Sequence, residues 1–346
     1  MPSDLAAFAI AFLASSGLTP VARTVALKWG IVDHPGPRKV HASPMPLLGG
    51  LSIYVTTALV LMLFIQDESR VQMFSIMAAA MLVLLAGTLD DRGMLHHQLK
   101  LMVAMPLAAI ILLGGDVRSA IFSPTVAEGF SIGLLADYAL SFVWVVGITA
   151  AFSILDHMDG LCAGVAAVAA GFFLLFAALE GQILVGTLAA TVFGGALGFL
   201  LWNFNPAKIF LGDAGAMFLG LMMATLGLKL RFEQLPHASA WLVPVLVLLI
   251  PIFDTTLVTV SRARRGLVPF SSPGKDHLAH RLVVLGFSHR AAVMTIYAFG
   301  TLGGLLALLV YYLPVVGALV LAAYIFAAAL LAIYLLERVP YERKQQ

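Results

Sequence analysis

Asp156-His157-Met158-Asp159-Gly160 runs without a break into Leu161–Leu179, LCAGVAAVAAGFFLLFAAL, a stretch with no charged residue. Roughly 20 apolar residues carry a helix across the hydrocarbon of a bilayer, so this stretch reads as one membrane span. The two acids stand at its mouth. Carboxylates there are costly to desolvate and rarely serve packing, which makes them candidates for chemistry at a membrane surface. Their spacing of three residues puts both on one face of a helix, or in one concave loop if the segment is not helical.

The whole chain repeats that pattern. It has 346 residues, of which 61% are hydrophobic and 11% charged, with a formal charge of +2 and a mean hydropathy of +1.00. A water-soluble domain has no use for so much apolar surface. Strand-length alternation with a polar lumen face is absent, which excludes a transmembrane β-barrel. The expected fold class is therefore all-α: a polytopic integral membrane helix bundle of ten or eleven transmembrane helices, forming a single domain over residues 1–346. Polar breaks place the spans at 4–26, 49–65, 72–89, 98–114, 137–154, 161–179, 183–202, 214–230, 239–260, 290–311 and 314–336. The break at Leu313-Pro314 reads equally as a kink in one helix. The first apolar stretch lacks a basic lead and a small-residue cleavage site, so it reads as a retained helix. Cys162 stands alone, which leaves no internal disulfide and no zinc cluster.

Lys and Arg set the orientation, because cytoplasmic loops retain positive charge. With the N-terminus outside, the inner segments hold sixteen: Arg23, Lys28, Arg38, Lys39, Arg92, Lys100, Lys208, Arg262, Arg264, Arg265, Lys275, Arg281, Arg290, Arg338, Arg343 and Lys344. The outer ones hold four: Arg70, Arg118, Lys229 and Arg231. Every acidic motif then falls on the cytoplasmic face. On the outer face, Val117–Phe122 and Phe130–Gly133, with Pro124 and Gly129 between them, read as a small β-hairpin.

Four further segments carry chemistry. Pro37–Gly50 combines prolines, a Gly pair and the cationic donors Arg38, Lys39 and His41, which suits an anion as well as an ordinary positive loop. Asp90-Asp91 closes the third apolar run; adjacent carboxylates can hold a divalent cation or accept a proton. In Trp202–Gly220, Asp213 sits where a helix of small residues begins, so it can hold Mg²⁺ close to backbone N–H groups that suit phosphate oxygens. Phe210 just before it can stack on a base or simply pack. The loop from Arg262 to Arg281 is the most basic in the chain; Arg264, Arg265 and Arg281 offer bidentate forks, and His277 and His280 further donors. His157, with no second histidine near it, is given no role.

Taken in order, from about Arg38 to Arg281, these motifs resemble the polyprenyl-phosphate N-acetylhexosamine-1-phosphate transferase family, of the glycosyltransferase family 4 type. The PMPLLGG and HLAH forms are closer to its undecaprenyl-phosphate GlcNAc-1-phosphate transferases than to phospho-N-acetylmuramoyl-pentapeptide transferase. The resemblance implies ten or eleven spans around a cytoplasmic cleft, with a broken helix near the ninth. It implies Asp213 as a Mg²⁺ ligand, with Mn²⁺ as the alternative metal, and Asp90 and Asp91 as the acidic pair serving the lipid phosphate and as further metal ligands. Phe210 would stack on uracil, Asn203 would lie beside the pyrophosphate, Asp156 and Asp159 near the nucleotide, and His277 and His280 in the basic loop. Family members usually carry asparagines where this chain has Ala150 and Ser153, and often an arginine where it has Leu47, which leaves the nucleotide-sugar open.

The implied reaction transfers a sugar-1-phosphate, an N-acetylhexosamine-1-phosphate by the resemblance, from a UDP-sugar to undecaprenyl phosphate, giving undecaprenyl diphosphosugar and UMP and starting a cell-envelope polysaccharide. The implied setting is the bacterial inner membrane. Membrane lipid is a partner by composition, no nucleic-acid partner is expected, and a homodimer is an open option. The rival readings are a transporter or lipid flippase, whose acids bind coupling ions, and a degenerate, non-catalytic family member.

Overall fold

The computed structural model describes residues 2–35, 43–64, 69–95, 97–122, 131–233, 235–268 and 274–339. Fifteen α-helices follow one another among these residues, with one two-stranded sheet. Two compact units divide the chain, Met1–Arg231 and Phe232–Gln346.

The first unit holds α1 (Pro2–Lys28), β1 (Val32–Asp33), β2 (Met45–Pro46), α2 (Gly49–Phe64), α3 (Arg70–Asp91), α4 (His97–Leu99), a π-helical turn (Lys100–Ala104), α5 (Met105–Gly114), α6 (Ile132–Leu155), α7 (Leu161–Leu179), α8 (Ile183–Asn203) and α9 (Gly212–Lys229). Helix α9 is its centre. Nearly all its residues from Ala214 to Leu228 are buried, and α2, α3, α6, α7 and α8 all touch it. Small residues make that possible, since between apolar helices close backbone approach replaces the hydrophobic drive. A methyl group on Gly50 would stand 2.2 Å from the Gly215 Cα, and one on Gly87 2.4 Å from the Ala214 Cα. Helices α1 and α8 approach in the same way: Gly198 faces the Phe12 carbonyl and Ser15 Oγ donates to the Gly195 carbonyl at 2.7 Å.

The second unit holds α10 (His237–Ala240), α11 (Leu242–Val247), α12 (Leu249–Arg264), α13 (Leu278–Val284), α14 (His289–Tyr312) and α15 (Val315–Leu336). The stretch Ala238–Val247 meets Leu249–Arg264 at a bend of 79°, so the break expected near the ninth span falls at Leu248. Leu313 is extended and Pro314 stands ahead of α15, which separates the last two helices.

Among the described residues, seven helices are long and apolar enough to cross a membrane, and eight if the bent pair is one span. Gly49–Phe64 and Lys100–Gly114 are shorter apolar helices. Within the described residues each of the eleven segments read from the sequence is helical over most of its length, whereas the number long enough to cross is smaller than the ten or eleven expected. The difference lies in shorter helices and in α9, whose polar ends and protein surroundings do not require it to face lipid.

The outer β-hairpin is a correction. Val117–Phe122 forms no strand, Ile132 and Gly133 begin α6, and residues 123–130 lie outside the described residues. The alternation that suggested a strand has another use. Asp137, fully buried in α6, accepts from Ser119 Oγ at 2.6 Å and from the backbone N–H groups of Ile121 and Phe122 at 3.0 and 3.2 Å. Those N–H groups are thereby satisfied without a partner strand. The one sheet pairs Val32 with Pro46 and Asp33 with Met45, in the segment that leads into α2.

Candidate active site

Helix α3 ends at Asp90-Asp91, where Gly93 turns the chain with φ +66°. Helix α9 begins at Gly212, whose φ of +75° is the left-handed conformation glycine adopts without strain. These two ends meet. Asp91 Oδ1 accepts from the backbone N–H of Asp213 at 2.9 Å and Oδ2 from that of Ala214 at 3.3 Å. A carboxylate on the first N–H groups of a helix satisfies donors that have no partner within the helix and lies along its dipole.

With Asp91 so engaged, Asp90 and Asp213 share a cation. Lys100 Nζ lies 2.7 Å from Asp90 Oδ2 and 2.8 Å from Asp213 Oδ1, and its side chain is 15% exposed. Ser153 Oγ, near the end of α6, donates to the same Asp213 oxygen at 2.9 Å. One turn further, Asp156 closes α6. Burial pushes its carboxyl well above the ordinary range, and the charges of Asp213, Asp91 and Asp159 push it the same way. Four carboxylates and one ammonium therefore make one electrostatic unit at the ends of α3, α6 and α9. Sequence reasoning assigned Lys100 to the positive inner face and nothing more. A lysine at the head of an apolar run has that bland meaning by default, and no local signal distinguishes it.

The donor set is hard oxygen, carboxylate and hydroxyl, which suits Mg²⁺ or Mn²⁺. Among the described residues no three His, Cys, Asp or Glu side chains form a metal cage. Asp90 and Asp213 converging on one cation still fits Mg²⁺, which is commonly held by one or two carboxylates with substrate phosphates and water completing its shell.

A second ring of bonds shapes the loops beside this unit. Asp159 Oδ2 accepts from Asn205 Nδ2 and from the backbone N–H of Ala207, both at 3.0 Å. Asn203, 3% exposed, accepts from the Gly160 N–H at 3.0 Å and donates to the Ile209 carbonyl at 2.9 Å. Asp159 and Asn203 thus tie the 156–160 loop to the 203–210 loop. Phe210 is half-buried; its backbone N–H donates to the Pro46 carbonyl at 2.8 Å and its carbonyl accepts from Gly49 at 3.1 Å. The segment entering α2 is thereby fastened to the start of α9. Arg38, Lys39 and His41 lie outside the described residues.

In the second unit the basic loop is cross-braced. Arg262 grips Asp276 with Nε and Nη2, both at 3.0 Å, and Arg265 bonds the same carboxylate. Burial pushes the Asp276 carboxyl up, but the two guanidiniums pull harder and hold it at about 2. Arg281 is fully buried and reaches Ser261 Oγ at 3.0 Å and Glu337 Oε1 at 2.7 Å. Its fork is engaged inside the protein. Arg264, largely exposed, pairs with Glu337 at 3.3 Å.

His277 Nδ1 lies 2.7 Å from Asp254 Oδ2, while Asp254 Oδ1 accepts from the Leu278 N–H at 2.7 Å. A buried carboxylate on one ring nitrogen fixes the orientation of an imidazole and favours a proton on that nitrogen. Asp254 is 1% exposed on α12 and escaped the sequence reading, because a single acid inside an apolar helix shows no link to a histidine 23 residues later. The His280 ring lies edge-on to His277, centroids 6.3 Å apart. Burial pushes His280 down to about 4, helped by His277 and Lys275.

These geometries sit in a chain similar to several known proteins. The model of glycosyl transferase family 4 matches residues 73–231, which include the Asp90, Asp91, Asp156, Asp159, Asn203, Phe210 and Asp213 constellation. The chain is 37% identical over 295 residues to a probable undecaprenyl-phosphate N-acetylglucosaminyl 1-phosphate transferase of Bacillus subtilis, covering 85% of this chain and 81% of the relative. It is 31% identical over 301 residues to a decaprenyl-phosphate N-acetylglucosaminephosphotransferase of Mycolicibacterium smegmatis, covering 80% and 74%. It is 25% identical over 282 residues to the undecaprenyl-phosphate alpha-N-acetylglucosaminyl 1-phosphate transferase of Escherichia coli O157:H7, covering 80% and 75%. A similarity that extends over most of both chains and includes the acidic helix ends means that this protein belongs to glycosyl transferase family 4.

Proposed function

We propose that the protein transfers a sugar-1-phosphate, N-acetylglucosamine-1-phosphate by the names of its relatives, from a UDP-sugar to a polyprenyl phosphate at the cytoplasmic face of a bacterial inner membrane. The observation that carries the reading is the meeting of Asp90 and Asp213 on one cation, with Asp91 fixing the start of α9. An oxygen of the lipid phosphate attacks the phosphorus that bears the sugar. The new P–O bond forms as the bond to the bridging oxygen breaks, and UMP leaves with that oxygen. A phosphate monoester with a second pKa near ~6 is already largely dianionic at neutral pH, so no strong base is required.

Asp90 and Asp213 would hold Mg²⁺, which when bound offsets charge on the diphosphate and on the departing UMP. Asp91 places Asp213 through the backbone. Asp156, held towards its neutral form, keeps repulsion within the cluster low. Asp159 and Asn203 position the loop that presents Phe210, a half-buried aromatic that would stack on the base. Within the second unit, Asp254 orients His277, and the Arg262–Asp276–Arg265 brace stiffens the basic loop.

The test is direct. Purified protein, given UDP-N-acetylglucosamine, undecaprenyl phosphate and Mg²⁺, should release UMP and form a lipid-linked diphosphosugar. Asp213→Asn should lower that turnover by at least ~10²-fold, on the scale of losing a principal electrostatic group. No product from any UDP-sugar, with a folded protein, would refute the reading.

A further inference from the structure

Lys100 occupies the place between the two carboxylates where a divalent cation would have to bind. Its ammonium is within hydrogen-bond distance of Asp90 Oδ2 and Asp213 Oδ1 at once, 2.7 and 2.8 Å. Mg²⁺ binds oxygen at roughly 2.0–2.1 Å, so a metal seated on the same two oxygens brings a second positive charge close to the ammonium and repels it. We propose that Lys100 is an exchangeable counter-cation: it holds the Asp90–Asp213 pair together in the metal-free protein, and the divalent metal enters by displacing it. The inference rests on the reading of Asp90 and Asp213 as metal ligands given above.

Three features support exchange over a fixed ion pair. Lys100 opens a π-helical turn, Lys100–Ala104, a local widening of the helix that occurs mostly at functional positions. Its side chain has a flexible four-carbon stem and a compact charge, suited to swinging from one position to another. Asp91, by contrast, is tied to two backbone N–H groups, and Ser153 continues to hold Asp213 whatever the lysine does. Asp213 therefore keeps its backbone anchor and its hydroxyl partner when the lysine leaves. Lys100 is in this account a positioning residue that sets metal affinity.

Two measurements test it, both on the full-length protein in detergent. The first titrates Mn²⁺ and follows the free ion by electron paramagnetic resonance. Lys100→Met, which keeps length and removes charge, should bind Mn²⁺ at least ~10-fold more tightly than wild type, because a like charge has gone from the site. Asp213→Asn should bind more weakly. If Asp213→Asn binds as wild type does, the metal-ligand reading itself fails. If Asp213→Asn weakens binding but Lys100→Met does not tighten it, the exchange proposal alone is overturned.

The second needs no variant, and so stands even if Lys100→Met does not fold. Wild-type protein is treated with an amine-acylating ester and the peptide carrying Lys100 is quantified by mass spectrometry. Labelling should accelerate when Mg²⁺ is added, as the displaced amine loses its two carboxylates. Labelling that is unchanged or slower with Mg²⁺ would overturn the proposal.

Discussion

Asp91 holds Asp213 by the backbone, not by the side chain: its Oδ1 lies 2.9 Å from the Asp213 nitrogen, with Oδ2 on the next residue's N–H. Adjacent acids on α3 thereby take different duties, Asp90 facing the shared cation and Asp91 serving as the cap of α9. Asp91→Ala should cost about 1–2 kcal/mol of stability through the lost cap, whereas Asp90→Asn should lower turnover with little change in unfolding temperature. Thermal unfolding in detergent beside product formation checks both; equal stability loss in the two variants would contradict the division.

The cap works only because α2, α3 and α9 approach closely. Gly50→Ala would place a methyl 2.2 Å from the Gly215 Cα, and overpacking of this kind costs about 1–3 kcal/mol. Gly147→Ala is the control, since nothing lies within 4 Å of its Cβ position. The first should lower the unfolding temperature and the yield of folded protein. The second should leave both near wild type.

His280 predicts a pH dependence with a definite sign. Its folded-state value is about 4, below the ordinary ~6.5 of histidine. Between these values the unfolded chain takes up a proton that the folded chain does not, so His280 lowers stability as pH falls from about 6.5 to about 4. Its contribution is constant above and below that window. Unfolding temperatures measured across pH 4–7 should therefore fall less steeply in His280→Gln than in wild type; parallel curves would show that His280 is not held neutral.

Orientation has its own test. With the N-terminus outside, a membrane-impermeant thiol reagent added to intact cells should label Ile132→Cys, exposed ahead of α6, but not Leu267→Cys, exposed after α12. Cys162 is buried and gives no background. The reverse pattern would invert the topology, and with it the face on which the acids lie.

Much of this architecture is legible in the sequence, and the exceptions have physical causes. Apolar runs mark the helices because a bilayer leaves backbone groups no other partner, and Asp90, Asp91, Asp156 and Asp213 stand out because acids at the ends of such runs have few other uses. What the sequence hides is contact across the fold. Lys100 looks like a surface anchor until the ends of α3 and α9 bring two carboxylates to it. Asp254 looks like an isolated acid until His277 folds onto it. Asn203 and Asp159 also bond across from one loop to another, which their places in the sequence do not show. Val117–Phe122 mimics a strand because alternation does not reveal that Asp137, from a helix, will take up its N–H groups.

The central claim is that the Asp90–Asp213 site exchanges UMP for a lipid phosphate on a sugar-bearing phosphorus. Radiolabelled UMP exchange into UDP-N-acetylglucosamine measures this step alone, because the transfer trades one phosphoanhydride for another and runs in both directions. The account predicts exchange that depends on added undecaprenyl phosphate and is lost in Asp213→Asn. Exchange that needs no lipid phosphate, or that survives in Asp213→Asn at the wild-type rate, would contradict it.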